Sequence, residues 1–508
     1  MEVFLYKTRR LLCGILLLAV FLQIVIFQQR AVVIGCLVSF LCFVLYSKFV
    51  LQEEIIKYRP LSFFALSGMQ LFTYFAPIAT LLDRHPVSYK MSHPTETFLW
   101  QLLYVSVTIF AFLCSKVVTK KLPLIRKLFS TIGYFKPVGK RTLWVMGGVG
   151  VLIQIYLLRH QYGDETIRGA GTLNMFRPFL LAPYCVFFQR SARKAWHRIR
   201  NVMLLLYTIF VLALSVASNS RGNIAFVLLG FALIYFLYLC YIHRERLQNI
   251  VSMSIKQLVF LALLVWLILG PLSDFAIAMV SVRTIRTDVT AKELFHETID
   301  LVQDRVKMEA VHKLASSIDG LGANEDWDEQ YVSNVFLQRI CNYLVADETI
   351  HYAHLAGIPN REMREDQLVR LKLMFPQPIV NFFFGRLNKK DYANSPMDKL
   401  ISQYKGEDYA SFLVGGDVGL GLATMGYTFP LFQFIVYLLL FSFFDQLVKR
   451  KGRKVVVPVM TLVYASSAFN FFMVSGGIFM RFVSLLWAIP VGLILCTFTI
   501  RILNKVFR

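Results

Sequence analysis

Hydrophobic residues fall in long runs along this chain, and polar residues are concentrated in the connections between the runs. About twelve of these runs are long enough, or nearly so, to cross a hydrocarbon core of about 30 Å as an α-helix. The pattern therefore predicts an all-α polytopic membrane protein with about twelve transmembrane helices. The predicted spans begin near Leu11, Ala31, Leu61, Phe98, Thr142, Leu173, Asn201, Asn223, Gln257, Thr424, Val455 and Phe479.

Lysine and arginine in the short connections predict the orientation of the chain. Alternate connections carry most of the basic clusters, at 57–59, 116–141, 190–200, 244–256, 449–454 and 501–508. Because basic connections stay in the cytoplasm, both termini are predicted to be cytoplasmic. No small-residue cleavage site follows the first apolar run, so we expect a retained helix and not a signal peptide.

One connection is much longer than the others and is predicted to lie outside the cytoplasm. Residues 283–411 carry most of the acidic groups and no apolar run long enough to span. A capping box at Thr290–Glu293 predicts a helix towards Ser317, and a second helical stretch is predicted from Trp327 to Ala356. We therefore divide the chain into spans one to nine (1–282), a large helical loop (283–411), and a return segment with the last three spans (412–508).

The strongly positive net charge is compatible with the predicted membrane protein. The chain has 508 residues, a formal net charge of +23 and 56% hydrophobic residues. The basic residues lie in clusters beside apolar runs, which indicates lipid head groups and membrane topology and argues against nucleic acid as a partner. Seven of the cysteines lie in apolar runs, Cys341 is alone in the loop, and no paired CxxC motif is present. The sequence thus predicts no metal site and no cofactor.

Several arginines lie next to predicted spans on the loop side. Arg221 follows Ser218-Asn-Ser220 in a tight hairpin, and Arg283 and Arg286 follow the ninth span on one helix face. Arg339 and Arg370 lie within the loop. Guanidinium groups bind phosphate oxygens in a bidentate way, which suits a pyrophosphate ligand. The alternative is that such arginines reach lipid head groups or pair with local acids, as Glu362, Glu365 and Asp366 suggest for Arg361 and Arg364.

Two histidines and a glycine-rich segment add candidate chemistry. His351 and His354 share a helix face, where they would serve as a general base, as a metal pair that lacks an obvious third ligand, or only in helix packing. Gly415–Gly421 lacks the ending of a P-loop and precedes the tenth span, so an unwound or re-entrant segment is one interpretation. The ionisable residues nearest to spans are Asp274, Asp417, Asp445 and Arg481, of which Asp445 is predicted to be only interfacial.

Three short stretches resemble the Wzy-type oligosaccharide repeat-unit polymerases, which make O-antigen and exopolysaccharide in bacteria. They are Phe336-Leu-Gln-Arg339, Ser218-Asn-Ser-Arg-Gly222, and the approach to the membrane from Gly406-Glu-Asp-Tyr409 to Gly426-Tyr-Thr-Phe-Pro430. The hairpin is also similar to one in O-antigen ligases. Where that family often has a Pro-Arg turn, this chain has Phe375-Pro-Gln-Pro378, which leaves the roles of Arg370 and Arg386 open.

The resemblance implies a GT-C-like membrane glycosyltransferase in the bacterial inner membrane, with the large loop in the periplasm. Its donor would be an undecaprenyl-pyrophosphate-linked oligosaccharide, and a chain-length-regulating co-polymerase is an expected partner. The arginines would hold the departing pyrophosphate, with Arg339 also assigned to catalysis, and His354 or Glu407 would activate the acceptor hydroxyl. The residues assigned to substrate binding are Arg221, Arg283, Arg286, Arg339 and Arg370.

Two other functions fit parts of the pattern. A lipid-linked oligosaccharide flippase or other transporter would also be basic and polytopic, although the chain shows no internal repeat. An O-antigen ligase would perform closely similar chemistry with a different acceptor.

Overall fold

The computed structural model is helical over most of the residues that it describes. These are residues 1–161, 173–189, 194–217, 221–243, 270–281, 291–316, 330–375, 377–385, 389–392, 394–405, 413–451, 454–472 and 476–507, with a few isolated positions between these ranges. Within them, the strands are β1 (Lys449–Lys451) and β2 (Lys454–Val456), which pair antiparallel in a short hairpin. The prediction of an all-α membrane protein is confirmed at this level.

The first half of the chain forms long helices joined by short connections. After Leu173, a 3₁₀ helix covers Arg177–Phe188. The α-helices are α1 (Glu2–Phe27), α2 (Arg30–Phe49), α3 (Glu53–Tyr58), α4 (Pro60–Leu82), α5 (Pro94–Lys121), α6 (Leu124–Thr131), α7 (Lys140–Gln161), α8 (Lys194–Ala217), α9 (Arg221–Tyr241) and α10 (Pro271–Ser281).

Shorter helices build the large loop, and apolar helices follow it. In the loop these are α11 (Ala291–Gln303), α12 (Arg305–Ser316), α13 (Val335–Cys341), α14 (Tyr343–Ala356), α15 (Arg361–Lys372), α16 (Gln377–Phe384) and α17 (Pro396–Lys405). After it come α18 (Asp417–Met425), α19 (Phe429–Gln446), α20 (Val459–Val463), α21 (Ala465–Phe469), α22 (Gly477–Val483) and α23 (Ile489–Val506), with a π-helical turn at Ser484–Ala488 between the last two.

Within the described residues, seven helical segments are long and apolar enough to cross a membrane. They are Glu2–Phe27, Arg30–Phe49, Pro60–Leu82, Pro94–Lys121, Asn223–Tyr241, Asp417–Gln446 and Gly477–Val506. Arg177–Phe188 and Ile199–Ser215 are shorter apolar helices at the predicted sixth and seventh spans. The eleventh predicted span is divided between α20 and α21, and the start of the ninth, near Gln257, lies outside the described residues. The count of twelve stays a prediction.

Where the structure describes them, basic connections near Lys57, Ile132 and Arg501 lie at one end of the helical bundle. The large loop lies at the other end, so we call this one the opposite end. The Tyr241 hydroxyl donates to the Lys57 carbonyl at 2.7 Å, which joins the end of α9 to α3. Arg501, near the C-terminus, donates to the Ile132 carbonyl at 3.1 Å. Arg9, near the N-terminus, donates to the Leu51 carbonyl. Both termini therefore lie at the same end of the bundle.

Asp445, predicted to be interfacial, lies one residue before the end of α19, and the structure adds an ion pair that the sequence did not show. Its carboxylate is buried at the opposite end and forms an ion pair with Arg59, whose Nε donates to Asp445 Oδ2 at 2.7 Å. Ser62 donates to the other carboxylate oxygen at 2.7 Å. Burying a charge is costly unless it is paired and hydrogen-bonded, and the pair meets that condition by joining α4 to α19.

The large loop packs on the end where α4 gives way to α5, which we call the loop end. The Tyr331 hydroxyl donates to the Val87 carbonyl at 2.6 Å, and Ser333 Oγ donates to Asp83 Oδ1 at 2.7 Å. The predicted helix towards Ser317 begins as expected but is interrupted at Asp304, between α11 and α12. The second predicted stretch forms α13 and α14, separated at Asn342.

Candidate functional site

Helix α14 carries several ionisable side chains at the loop end. Asn342 begins it as an N-cap, because its side-chain oxygen accepts from the Val345 amide at 3.4 Å. Gly357, with a φ of 91°, ends it in a conformation that favours glycine. Helix α14 packs on α5 and α18, with the buried Asp347 at the start of α5 and the buried Thr349 against the segment that leads into α18. His351 and His354 lie further along the same helix and are more exposed.

Asp347 fixes the start of α5 from outside that helix. His93, the N-cap residue of α5, makes no side-chain capping hydrogen bond. The Asp347 carboxylate instead accepts from the backbone amides of Ser92 at 2.5 Å and His93 at 3.1 Å, and from Thr97 Oγ1 at 2.7 Å. A carboxylate is stabilised at a helix N-terminus, where amide groups point outwards without partners. Asp347 thereby sets α5 against α14.

This docking brings three histidines and a glutamate together. His354 Nε2 lies 2.9 Å from Glu96 Oε1, and His93 Nε2 lies 3.2 Å from His351 Nδ1. The ring centroids of His93 and His354 are 5.5 Å apart. The His354 and Glu96 side chains are 35% and 34% exposed, so the pair is open to a ligand. We call these four residues the histidine cluster.

The histidine cluster has the parts of a proton acceptor. A carboxylate beside an imidazole fixes the tautomer of the ring and stabilises its protonated form, as in other general-base pairs. Partial burial and the neighbouring His93 lower the pKa of His351, against a smaller opposing effect of Asp347. His351 is therefore neutral at neutral pH and can accept a hydrogen bond from its histidine neighbour. Within the described part of the chain, no set of three ligating side chains is arranged to hold a metal ion.

An aromatic surface adjoins the histidine cluster. Trp100 lies one turn after Glu96 on α5 and donates its indole N–H to Glu96 Oε1 at 3.3 Å. Its ring lies nearly parallel to that of Tyr427, with centroids 6.2 Å apart and an interplanar angle of 19°. Tyr427 is 71% exposed. The cluster is therefore bordered by a flat apolar face with polar groups at its edge.

A buried ion pair lies between the apolar helices. Arg481 of α22 and Asp417 of α18 form an ion pair with a distance of 2.7 Å, and their side chains are 5% and 8% exposed. The Tyr104 hydroxyl donates to the same carboxylate oxygen at 2.6 Å. The guanidinium also lies over the ring of Phe472, 5.2 Å from its centroid. The sequence marked Arg481 and Asp417 as separate candidates, and the structure joins them.

The glycine-rich segment links this ion pair to the histidine cluster. The Gly416 amide donates to Thr349 Oγ1 of α14 at 2.8 Å. A Cβ atom on Gly419 would lie 2.5 Å from the Thr349 carbonyl carbon, so glycine is required for α18 to approach α14 this closely. The segment is helical from Asp417 onwards. Gly415 and Gly416 lie outside any helix, and a re-entrant position of this segment stays a prediction.

The structure describes only some of the arginines assigned to pyrophosphate. Arg339 lies on α13 with an exposed side chain. Arg221 is the first residue of α9, but its side chain lies outside the described residues. The remaining candidates at 283 and 286, together with the candidate base at 407, also lie outside them. These assignments stay predictions.

Arg370 has an intramolecular role. Its guanidinium is largely buried and forms an ion pair with Asp366 at 2.7 Å. Nη1 also donates to the carbonyls of Tyr392 at 3.1 Å and Asn394 at 2.7 Å. With these bonds inside the loop, the geometry favours a stabilising role for Arg370 over pyrophosphate binding. Nearby, Arg361 pairs with Glu365 at 2.8 Å, as the sequence suggested.

Two of the four residues of the histidine cluster were predicted from the sequence. Helical spacing identified His351 and His354 but not His93 or Glu96, which lie about 258 residues earlier in the chain. The signal that was available is the segment His93-Pro-Thr-Glu96, which places two ionisable groups at the start of a span. Comparisons with protein-family models, with curated proteins and with solved structures gave no match.

Proposed function

We propose that this chain is a membrane glycosyltransferase that polymerises oligosaccharide repeat units carried on a polyprenyl pyrophosphate. The acceptor hydroxyl oxygen attacks the anomeric carbon of the donor, and the bond from that carbon to the pyrophosphate oxygen breaks. The hydroxyl proton passes to a base on the protein, and polyprenyl pyrophosphate leaves. Because the donor is already activated, the reaction needs no nucleotide.

The observation that carries this proposal is the His354–Glu96 pair within the histidine cluster. His354 is placed to take the acceptor proton, and Glu96 then stabilises the imidazolium through the 2.9 Å contact. Both side chains are partly open to solvent at the loop end. An acceptor sugar has access there without crossing the bundle.

Two further features support a lipid-linked glycan as substrate. The C–H bonds on one face of a sugar ring pack well on a flat aromatic surface, and Trp100 with Tyr427 supplies such a surface beside Glu96. Arg339, exposed on α13, is the described candidate for the pyrophosphate, whose negative charge grows as it departs. The residues at 221, 283 and 286 complete the proposed arginine set.

The proposal places the loop end on the periplasmic side of a bacterial inner membrane, with both termini in the cytoplasm. It is supported by the gathering of the basic connections and of both termini at the opposite end. Basic connections are retained in the cytoplasm during insertion. An undecaprenyl-pyrophosphate-linked donor in the outer leaflet would then face the histidine cluster.

The test compares surface glycans in cells that carry wild-type chain, no chain, or His354→Gln. Polymerisation predicts long glycans with the wild type and single repeat units at the surface in the other two. His85→Gln is the matched control. His85 lies between α4 and α5, in the connection that also contains His93, and it stacks on Tyr89 outside the cluster. This control is expected to keep long glycans at wild-type protein level.

A transporter is the second candidate, favoured by the buried Arg481–Asp417 pair, since ionisable groups within spans often mark transport pathways. It predicts a different phenotype: without the chain, lipid-linked units accumulate inside the cell and none reaches the surface. An O-antigen ligase predicts a third: long lipid-linked glycans form but are not attached to their final acceptor. Either result would replace the polymerase proposal.

A further inference from the structure

The loop helix α16 carries an apolar surface that no described residue covers. Its sequence is Gln377-Pro-Ile-Val-Asn-Phe-Phe-Phe384. Phe382 is 81% exposed and Phe383 is 69% exposed, and Ile379 and Phe384 are also exposed. Three adjacent exposed phenylalanines on one short helix form a patch of the kind that marks an interaction site.

Contacts of neighbouring rings place this patch beside the last apolar segment. Phe384 stacks on Phe375, with centroids 6.4 Å apart, and Phe375 packs edge-on against Trp487 at 5.5 Å. Trp487 lies in the π-helical turn Ser484–Ala488 between α22 and α23. Pro490 follows that turn and lacks the N–H that would continue the regular hydrogen-bond ladder.

The position of Trp487 along this segment gives an approximate depth. Arg501 lies at the opposite end, where it bonds to the Ile132 carbonyl. A hydrocarbon core of about 30 Å corresponds to about 20 helical residues, which extends from Arg501 back to about Arg481. Trp487 is then about 9 Å inside the boundary at the loop end. Leu486, the neighbour of Trp487 in the sequence, is also exposed.

Charged residues flank the apolar helix on both sides. Lys372 ends α15 with an exposed side chain, and Arg386, Lys389 and Lys390 follow α16 in the sequence. Basic side chains beside an apolar helix reach lipid phosphates while their stems stay in the apolar region. The sequence therefore has basic residues on both sides of the aromatic run.

We propose that α16 is inserted into the bilayer, with Phe382 and Phe383 among the acyl chains and Lys372 at the phosphate level. The large loop is then anchored to the membrane at a point remote in sequence from its two ends. The inference stands on the exposed rings and their contact with Trp487, and it does not depend on the proposed enzymatic activity.

Site-directed spin labelling of the full chain in liposomes tests this placement. A nitroxide is attached at Phe383→Cys, and a second at Phe382→Cys guards against one unfavourable site. Glu362→Cys on the polar surface of α15 is the matched control. The wild-type chain, treated identically, gives the background from native cysteines. Collisions are measured with oxygen, which concentrates in lipid, and with a water-soluble nickel complex.

Insertion predicts that oxygen accessibility exceeds nickel accessibility at 382 and 383 and that the order is reversed at 362. Greater nickel than oxygen accessibility at both phenylalanine sites would place α16 in water and overturn the proposal. Low accessibility to both reagents would mean that protein covers the helix, as in contact with a second copy, and would overturn it as well.

Discussion

The Arg481–Asp417 ion pair gives the most quantitative prediction. The perturbation is a double-mutant cycle of Asp417→Asn, Arg481→Met and the double variant. With side chains 5% and 8% exposed, the pair is little screened by solvent. Removing one partner leaves the other charge buried and unpaired, which costs about 3–5 kcal/mol in comparable sites. Asp417→Asn also weakens the acceptor of the 2.6 Å bond from Tyr104.

In the double variant no buried charge is left without a partner. We therefore expect its free energy of unfolding to be reduced by no more than that of either single variant, so that the two effects are far from additive. The assay is reversible unfolding in mixed micelles, in which denaturing detergent is titrated and helix content is followed by circular dichroism.

A matched cycle on Arg59 and Asp445 controls for position in the bundle. That pair is similarly buried, at 9% and 4% exposure, and lies at the opposite end. It is expected to show coupling of the same sign. If the Asp417 and Arg481 effects add within about 0.5 kcal/mol in the double variant, the two side chains do not interact energetically and the reasoning is refuted.

Three further predictions concern the docking of α14. Gly419→Ala should lower the free energy of unfolding by about 1–3 kcal/mol, because its Cβ would meet the Thr349 carbonyl carbon at 2.5 Å, whereas Gly14→Ala, with no neighbouring atom within 4 Å, should not. Asp347→Asn should speed hydrogen exchange at the start of α5, and unchanged exchange would contradict its capping role. The lowered pKa of His351 means that the unfolded chain binds its proton more readily, so stability should fall as the pH drops below about 6.5 and then level off below the folded-state pKa. His351→Gln should reduce that fall in unfolding titrations, and an identical pH profile would count against this linkage.

The hydrophobic pattern was sufficient to predict the helical class and most of the long apolar segments. It was sufficient because a span must satisfy its backbone within one continuous run, which is a local property of the sequence. The distribution of basic residues likewise agreed with the connections that meet beside Arg501 and Lys57. The start of α11 at Ala291 followed from the capping signal at Thr290–Glu293.

Contacts between distant residues were not predictable in the same way. Glu96 and His354 are about 258 residues apart, and Arg59 and Asp445 about 386. Periodicity identifies which face of a helix is apolar, but it does not identify the helix that will cover that face. The pairing of Asp445 with Arg59 was therefore not predicted, although Arg59 lies in a basic connection that the sequence had already marked.

The role of Arg370 shows the same limit. An arginine in a loop beside acidic residues is compatible with a ligand site or with an internal ion pair. Only the three-dimensional contacts with Asp366 and with two backbone carbonyls distinguish these alternatives. Buried guanidinium groups commonly satisfy their donors in this way.

The proposed polymerase activity is tested most directly by the products that the purified chain forms. Liposomes would contain the chain and lipid-linked repeat units extracted from cells that lack it. A polymerase is expected to form lipid-linked glycans of two or more units and to release one polyprenyl pyrophosphate for each bond formed. His354→Gln should abolish both products, and His85→Gln should preserve them. No elongation with the folded wild-type chain would contradict polymerase activity. Equal elongation with His354→Gln would contradict the role of His354 as the base.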